Sequence, residues 1–147
     1  MKTAIFPGAF DPFTRGHQML VEEALRLVDR VVIAIGENVN KRSLLTLEAR
    51  KKLIEDLYTS EPRVECITYS SLTGDAAREV GATAIIRGVR NTIDFEYERN
   101  IADINRMLTG IDTLLLISEP KYASISSSMV RELAHFGKDI SKYLPVL

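Results

Sequence analysis

Apolar runs and helical periodicities alternate along this chain. Residues 3–6 form a short apolar run that stops at Pro7 and Gly8. Over residues 16–29, Leu20, Ala24, Leu27 and Val28 recur at the i, i+4, i+7, i+8 spacing of one helix face. Residues 31–35 are apolar throughout and rich in β-branched side chains, which suits a strand buried on both faces of a parallel sheet. A polar loop over 37–43 leads to Thr46, a good N-cap for a helix from Leu47 to about Tyr58. Residues 64–69 alternate more weakly and predict a third strand. Thr73 is placed to cap a short helix closed by Gly81, a typical residue just past a helix end. Residues 83–86 predict a fourth strand. Asn91 is placed to cap a long helix to about Leu108, with Ile93, Tyr97, Ile101, Ile104 and Leu108 on one stripe. Residues 113–117 predict a fifth strand, Ser126–Ser128 a lead into a last helix from Met129 to about Phe136, and 139–143 a short turn.

The order is strand–helix five times over. It predicts an α/β fold: a five-stranded parallel sheet, doubly wound, with helices on both faces. No linker or composition shift divides the chain, so one domain over residues 1–147 is expected. A formal net charge of −1 argues against a protein that coats nucleic acid. No apolar run reaches the ~18 residues a membrane span needs, and the start lacks the layout of a signal peptide. One cysteine, Cys66, and two histidines, His17 and His135, leave no multi-cysteine or His-rich metal site. The expected setting is a reducing cytoplasm.

In open parallel sheets ligands bind beyond the carboxyl ends of the strands, where strand order reverses. After the first strand, Gly8-Ala9-Phe10-Asp11-Pro12-Phe13-Thr14-Arg15-Gly16-His17 runs straight into a helix, whose first N–H groups favour phosphate. Gly16 allows close approach, and His17 in the first turn can aim a ring N–H at the same place; a histidine that only helps cap the helix explains the spacing equally well. After the fourth strand stands Arg87-Gly88-Val89-Arg90. Arginine forks match phosphate oxygens, and Arg87 is expected at the strand's carboxyl end with few charges nearby to satisfy it. After the fifth, Ser126, Ser127 and Ser128 offer three hydroxyls where a cap needs one. Lys41 and Arg42 follow the second strand. Asp94 suits the start of its helix, whereas Glu98, deeper in, is a better ligand candidate. Cys66 is expected beside the third strand and His135 near a helix C-terminus, neither with a role.

The first of these segments resembles the [HT]-x-G-H signature of the nucleotidyltransferase superfamily, and Ile125-Ser126-Ser127-Ser128-Met129-Val130-Arg131 its second signature. The 87–90 segment, Asp94-Phe95-Glu96-Tyr97-Glu98 and Thr46-Leu47-Glu48-Ala49-Arg50 narrow the resemblance to the phosphopantetheine adenylyltransferase family. That resemblance implies transfer of AMP from ATP to 4′-phosphopantetheine by a cytoplasmic, magnesium-dependent homohexamer restrained by coenzyme A. It places His17, Lys41 and Arg90 in catalysis. It places Ala9, Lys41, Thr73 and Arg87 on the acceptor. On ATP it places Ala9, Phe10, His17, Gly88, Val89, Arg90, Glu98, Tyr122, Ala123, Ser124, Ile125, Ser126, Ser127 and Ser128. It gives the protein no metal ligand of its own.

The chain departs from the family in having Ala9 where Thr or Ser is usual, and in stopping soon after Leu144-Pro145. A missing hydroxyl bond to a charged group is worth roughly 1.5–3 kcal/mol. Two rival expectations are a nucleotidyltransferase acting on nicotinate mononucleotide or glycerol 3-phosphate, and a non-catalytic nucleotide-binding module on the same fold.

Overall fold

A computed structural model describes residues 1–38 and 42–146. Five parallel strands, β1 (Thr3–Gly8), β2 (Arg30–Gly36), β3 (Val64–Tyr69), β4 (Ala84–Val89) and β5 (Asp112–Ile117), lie in the order β3-β2-β1-β4-β5. They alternate with α1 (Arg15–Leu25), α2 (Leu47–Leu57), α3 (Thr73–Glu79) and α4 (Thr92–Thr109); α5 (Ser127–His135) follows β5 after a 3₁₀ turn at Pro120–Tyr122. The doubly wound α/β expectation holds.

The two faces follow from the two-residue period of a strand. Ala4 and Phe6 of β1 and Val31, Ile33 and Ile35 of β2 pack with Met19, Leu20, Val21 and Ala24 of α1 and Ile54 of α2. Ile5 and Ala34 face the other way, onto Ala76 and Ala77 of α3. The central strands are buried on both sides, which is why they read as unbroken apolar runs.

Strand order reverses between β1 and β4, and there the sheet opens. The ladder joining them covers only Ala4↔Ala84 and Ile5↔Ile85, whereas β1 stays paired with β2 from Thr3 to Gly8. Pro7, which has no N–H, lies beyond that short ladder; its carbonyl accepts Arg87 Nη1 at 2.8 Å instead. α1 crosses close above β4: a β-carbon on Gly88 would stand 2.4 Å from Leu20 Cδ1.

Several local expectations change. α1 ends at Leu25, because Arg26 closes it and Val28 N–H turns back to the Ala24 carbonyl, carrying Leu27 to the surface. Thr73 is the first residue of α3 and not its cap; Leu72 takes the cap position without a side-chain bond, and the Thr73 hydroxyl meets Tyr69 Oη at 3.1 Å. β4 runs on through Val89, so Arg87 is a strand residue and not the one following it. An apolar helix stripe ordinarily faces a core. On α4 most of the stripe faces outward, with Ile93 80% exposed, Tyr97, Ile104 and Leu108 also exposed and Ile101 half-buried, and the buried residue is Glu98. Cys66 does lie in β3, half-buried, where burial pushes its thiol up to about 12.

The close α1–β4 crossing gives a check on the packing. Gly88→Ala forces Leu20 to move, and such overpacking typically costs about 1–3 kcal/mol. A urea midpoint lowered correspondingly is expected; an unchanged midpoint would mean that the helix yields freely.

Candidate active site

The loop after β1 is held from three sides. Asp11, 4% exposed, accepts the backbone N–H groups of Leu44 and Leu45, each at 2.8 Å, one on each carboxylate oxygen. Buried Arg50 of α2 donates from Nη1 to the Ala9 carbonyl at 2.8 Å. From α5, Arg131 Nη1 donates to the Asp11 carbonyl at 2.9 Å and Ser127 Oγ to the Pro12 carbonyl at 2.9 Å. The Asp11–Pro12 peptide is cis and Phe10 has φ 49°.

The loop delivers the chain to Thr14, which caps α1. Thr14 Oγ1 accepts from the His17 N–H at 3.4 Å, and the Thr14 N–H donates to His17 Nδ1 at 3.0 Å. This is a capping box with histidine in the place usually held by Glu or Gln. Because Nδ1 accepts, the neutral ring carries its hydrogen on Nε2. Burial, then the charges of Arg87 and Arg90, lower the His17 pKa from 6.5 to about 3. The capping explanation and the phosphate-donor explanation of His17 are therefore compatible: one ring nitrogen does each.

The cavity beside this ring measures about 310 Å³. β1 and its loop contribute Gly8, Ala9 and Phe10; α1 contributes Gly16 and His17; β4 and its end contribute Arg87, Gly88 and Arg90; α4 contributes Asp94 and Glu98; the last segment contributes Tyr122, Ile125, Ser126, Ser127, Ser128 and Arg131. Twelve of the candidate positions meet here. Val89 is packed away as a buried strand residue, and Ala123, Ser124 and Thr73 are not in the lining. Lys41 lies outside the described residues.

Arg87 is not short of partners, contrary to the expectation. Its Nε and Nη2 donate to the two oxygens of Glu98, each at 2.8 Å. Burial alone would lower the Arg87 pKa, but the bonds to Glu98 and its charge outweigh it, and the net shift is upward. Arg90 Nε likewise donates to Asp94 at 3.0 Å. Sequence reasoning left Asp94 as a helix-start residue and gave Arg131 no role. The missed signals are the four-residue spacing of Arg90–Asp94 and the three-residue spacing that lets Arg131 Nη2 donate to Ser128 Oγ at 3.0 Å. Among the described lining residues, Arg131 is the guanidinium with no carboxylate partner. The serines divide their work: Ser126 Oγ caps α5 by accepting from Met129, Ser127 braces the loop, and Ser128 keeps a hydroxyl hydrogen to donate.

A cavity with three arginines, a neutral ring N–H and a helix N-terminus suits a polyphosphate. Among the described residues no three His, Cys, Asp or Glu converge on one point. The cavity's two carboxylates, Asp94 and Glu98, are each bound to an arginine.

Comparison with known proteins agrees with this chemistry. The family described as Cytidylyltransferase-like matches residues 5–133. A phosphopantetheine adenylyltransferase from Porphyromonas gingivalis is 53% identical over 142 residues, covering 97% of this chain and 93% of that protein. One from Lactiplantibacillus plantarum is 46% identical, covering 99% and 90%. Among solved structures, a bifunctional NMN adenylyltransferase/ADP ribose pyrophosphatase from Francisella tularensis aligns with a TM-score of 0.76 at 18% identity, over 97% of this chain and 44% of that one. That likeness shows the fold alone. The same protein has also been solved with AMP and a manganese ion.

The lowered His17 pKa has a measurable sign. Below pH 6.5 the unfolded chain takes up a proton that the folded ring refuses until about pH 3, so stability falls as pH drops through that window. His17→Gln removes this contribution. Its urea midpoints between about pH 7 and pH 4 should fall less steeply than those of the parent; parallel curves would contradict the assignment.

Proposed function

This chain belongs to the phosphopantetheine adenylyltransferase family, and from its cavity we propose how it transfers the AMP moiety of ATP to 4′-phosphopantetheine. The products are dephospho-coenzyme A and pyrophosphate, so the protein is a nucleotidyltransferase of coenzyme A synthesis. The observation that carries the proposal is the meeting of His17, Arg87, Arg90 and the α5 serines at one cavity on the carboxyl edge of the sheet.

The acceptor phosphate is already an anion and needs no strong base. The barrier lies in bringing two polyanions together in line, so positioning and charge stabilisation carry the catalysis. An acceptor oxygen forms a bond to the α-phosphorus while the bond to the bridging β-oxygen breaks, and pyrophosphate leaves with that electron pair. His17 Nε2–H donates to an α-phosphoryl oxygen as charge shifts, and no proton need be transferred. Ser128, Arg131 and the N-terminus of α5 hold the β- and γ-phosphates. Ser127 supports them through the loop, and Tyr122, Ile125 and Ser126 complete that wall. Arg90 neutralises charge on the ATP side through its terminal nitrogens, while Nε holds Asp94. Arg87 stays joined to Glu98 and offers its remaining N–H groups to the acceptor phosphate, with the Ala9 backbone; the family resemblance assigns Lys41 to the same phosphate. Thr73 contacts the acceptor further from the reacting phosphate. Magnesium, if bound with ATP, would supply further neutralisation of phosphate charge beside Arg90 and Arg131.

The homohexamer is proposed to use the outward stripe of α4, Ile93, Tyr97, Ile104 and Leu108. Restraint by coenzyme A is proposed to act at the acceptor side of the same cavity. A cytoplasmic location fits the pathway, and no described helix is long and apolar enough to cross a membrane.

Pyrophosphate release with ATP, Mg²⁺ and a panel of 4′-phosphopantetheine, nicotinate mononucleotide and glycerol 3-phosphate tests the reading. Release with the first acceptor is expected; release only with another, or with none, rejects it. His17→Ala should lower kcat about 10²–10³-fold with a much smaller change in the KM for ATP. Arg87→Ala should weaken phosphopantetheine binding about 10–100-fold by calorimetry, since a hydrogen bond to a charged group is at stake; equal binding would remove Arg87 from the acceptor site.

A further inference from the structure

Among the described residues, Phe10 is the one non-glycine with a left-handed backbone, at φ 49°. That region strains any residue with a β-carbon. Two features of the loop show what the strain secures. A β-carbon on Gly8 would lie 3.0 Å from Phe10 Cζ, so the ring fills the space the glycine leaves. The ring is then 3% exposed and stands edge-on to His17, with centroids 5.0 Å apart and planes at 86°. Phe13, 1% exposed, flanks the same imidazole at 5.3 Å, and Phe6 stands at 6.1 Å. The two loop phenylalanines touch each other at 5.4 Å.

We propose that Phe10 and Phe13 are positioning residues for adenylyl transfer, whose rings fix the plane of the His17 imidazole and keep it the neutral Nε2–H donor. This rests on the adenylyltransferase reading of the cavity. The charged groups facing the ring are Arg87 on β4 and Arg90 at its end, each joined to a carboxylate of α4, Glu98 and Asp94. Thr14 at the start of α1 donates to Nδ1. The arginines oppose an imidazolium. The aromatic rings remove the water that would solvate one. A ring held this way arrives at the phosphate with its hydrogen already placed.

Phe10→Leu and Phe13→Leu keep an apolar side chain and remove the ring. Each should lower kcat about tenfold or more while both KM values stay within about twofold. The acid limb of kcat against pH should move up by about one unit or more, because a less enclosed ring protonates more readily. In long-range ¹H–¹⁵N spectra the parent's His17 should show the neutral Nε2–H pattern from about pH 8 to pH 5.5, and the variants a mixed pattern at the lower end. Ile54→Val, a fully buried core change on α2, supplies a destabilised control whose acid limb should not move. Leucine variants with parental kcat and spectra overturn the proposal, as does a control that shifts equally. If the leucine variants do not fold, the parent's spectrum decides: a His17 that titrates near 6.5 overturns the proposal without any variant. Because the spectra need no turnover, a neutral ring in a protein that releases no pyrophosphate would reject the proposed function alone.

Discussion

Two carboxylate oxygens on Asp11 take two backbone N–H groups from a segment more than thirty residues away, and the rest of the site depends on that clasp. Both oxygens are satisfied by amides that would otherwise need water, so a buried charge sits among its partners at low cost. Arg50 and Arg131 fix the neighbouring carbonyls from α2 and α5. A loop pinned at this many points can hold Phe10 in a strained conformation and present Thr14 to cap α1. His17 inherits its orientation from that cap. The geometry of one imidazole thus traces back to a carboxylate that never touches it.

The second organising idea is that the cavity keeps most of its positive charge in reserve. Arg87 and Arg90 are each matched with an acid of α4, and removing one partner of such a pair leaves the other exposed to a steep penalty. Arg87 meets Glu98 through Nε and Nη2 and Arg90 meets Asp94 through Nε, so each guanidinium has further N–H groups to offer a phosphate without leaving its acid. Pairing each of these arginines with an acid avoids massed like charge in the cavity. Arg131, bonded to a carbonyl and a hydroxyl, is different in kind and offers its full charge at once.

The sheet was legible because its central strands are buried on both faces and so show no polar interruption: Val31 to Ile35 admits hardly any other reading. Caps at Thr46 and Asn91 were legible because their bonds are local; the three serines before α5 left the choice open, and Ser126 takes the cap with the helix starting at Ser127 rather than Met129. What failed was tertiary. Leu27 and Val28 extend the helical pattern of α1, but the chain has already turned toward β2. The apolar stripe of α4 predicts a helix correctly and says nothing about which way it faces. The Arg87–Glu98 pair spans eleven residues and two elements, so no periodicity announces it. Thr14 and His17 have the spacing of a capping box, yet histidine in the third position is a weak signal until the ring is seen accepting the N–H.

Having β1 in the middle of the sheet sets an order of events for the newborn chain. The first strand to leave the ribosome gains a neighbour once β2 follows, but its other edge waits for Ala84 and Ile85. Until then an apolar edge stays open, the kind of surface on which chaperones act. The serines of α5 emerge later still, beyond residue 125. The pocket is therefore a late product of synthesis, and a chain cut short before that point carries all five strands but lacks the serines and Arg131 that close the site.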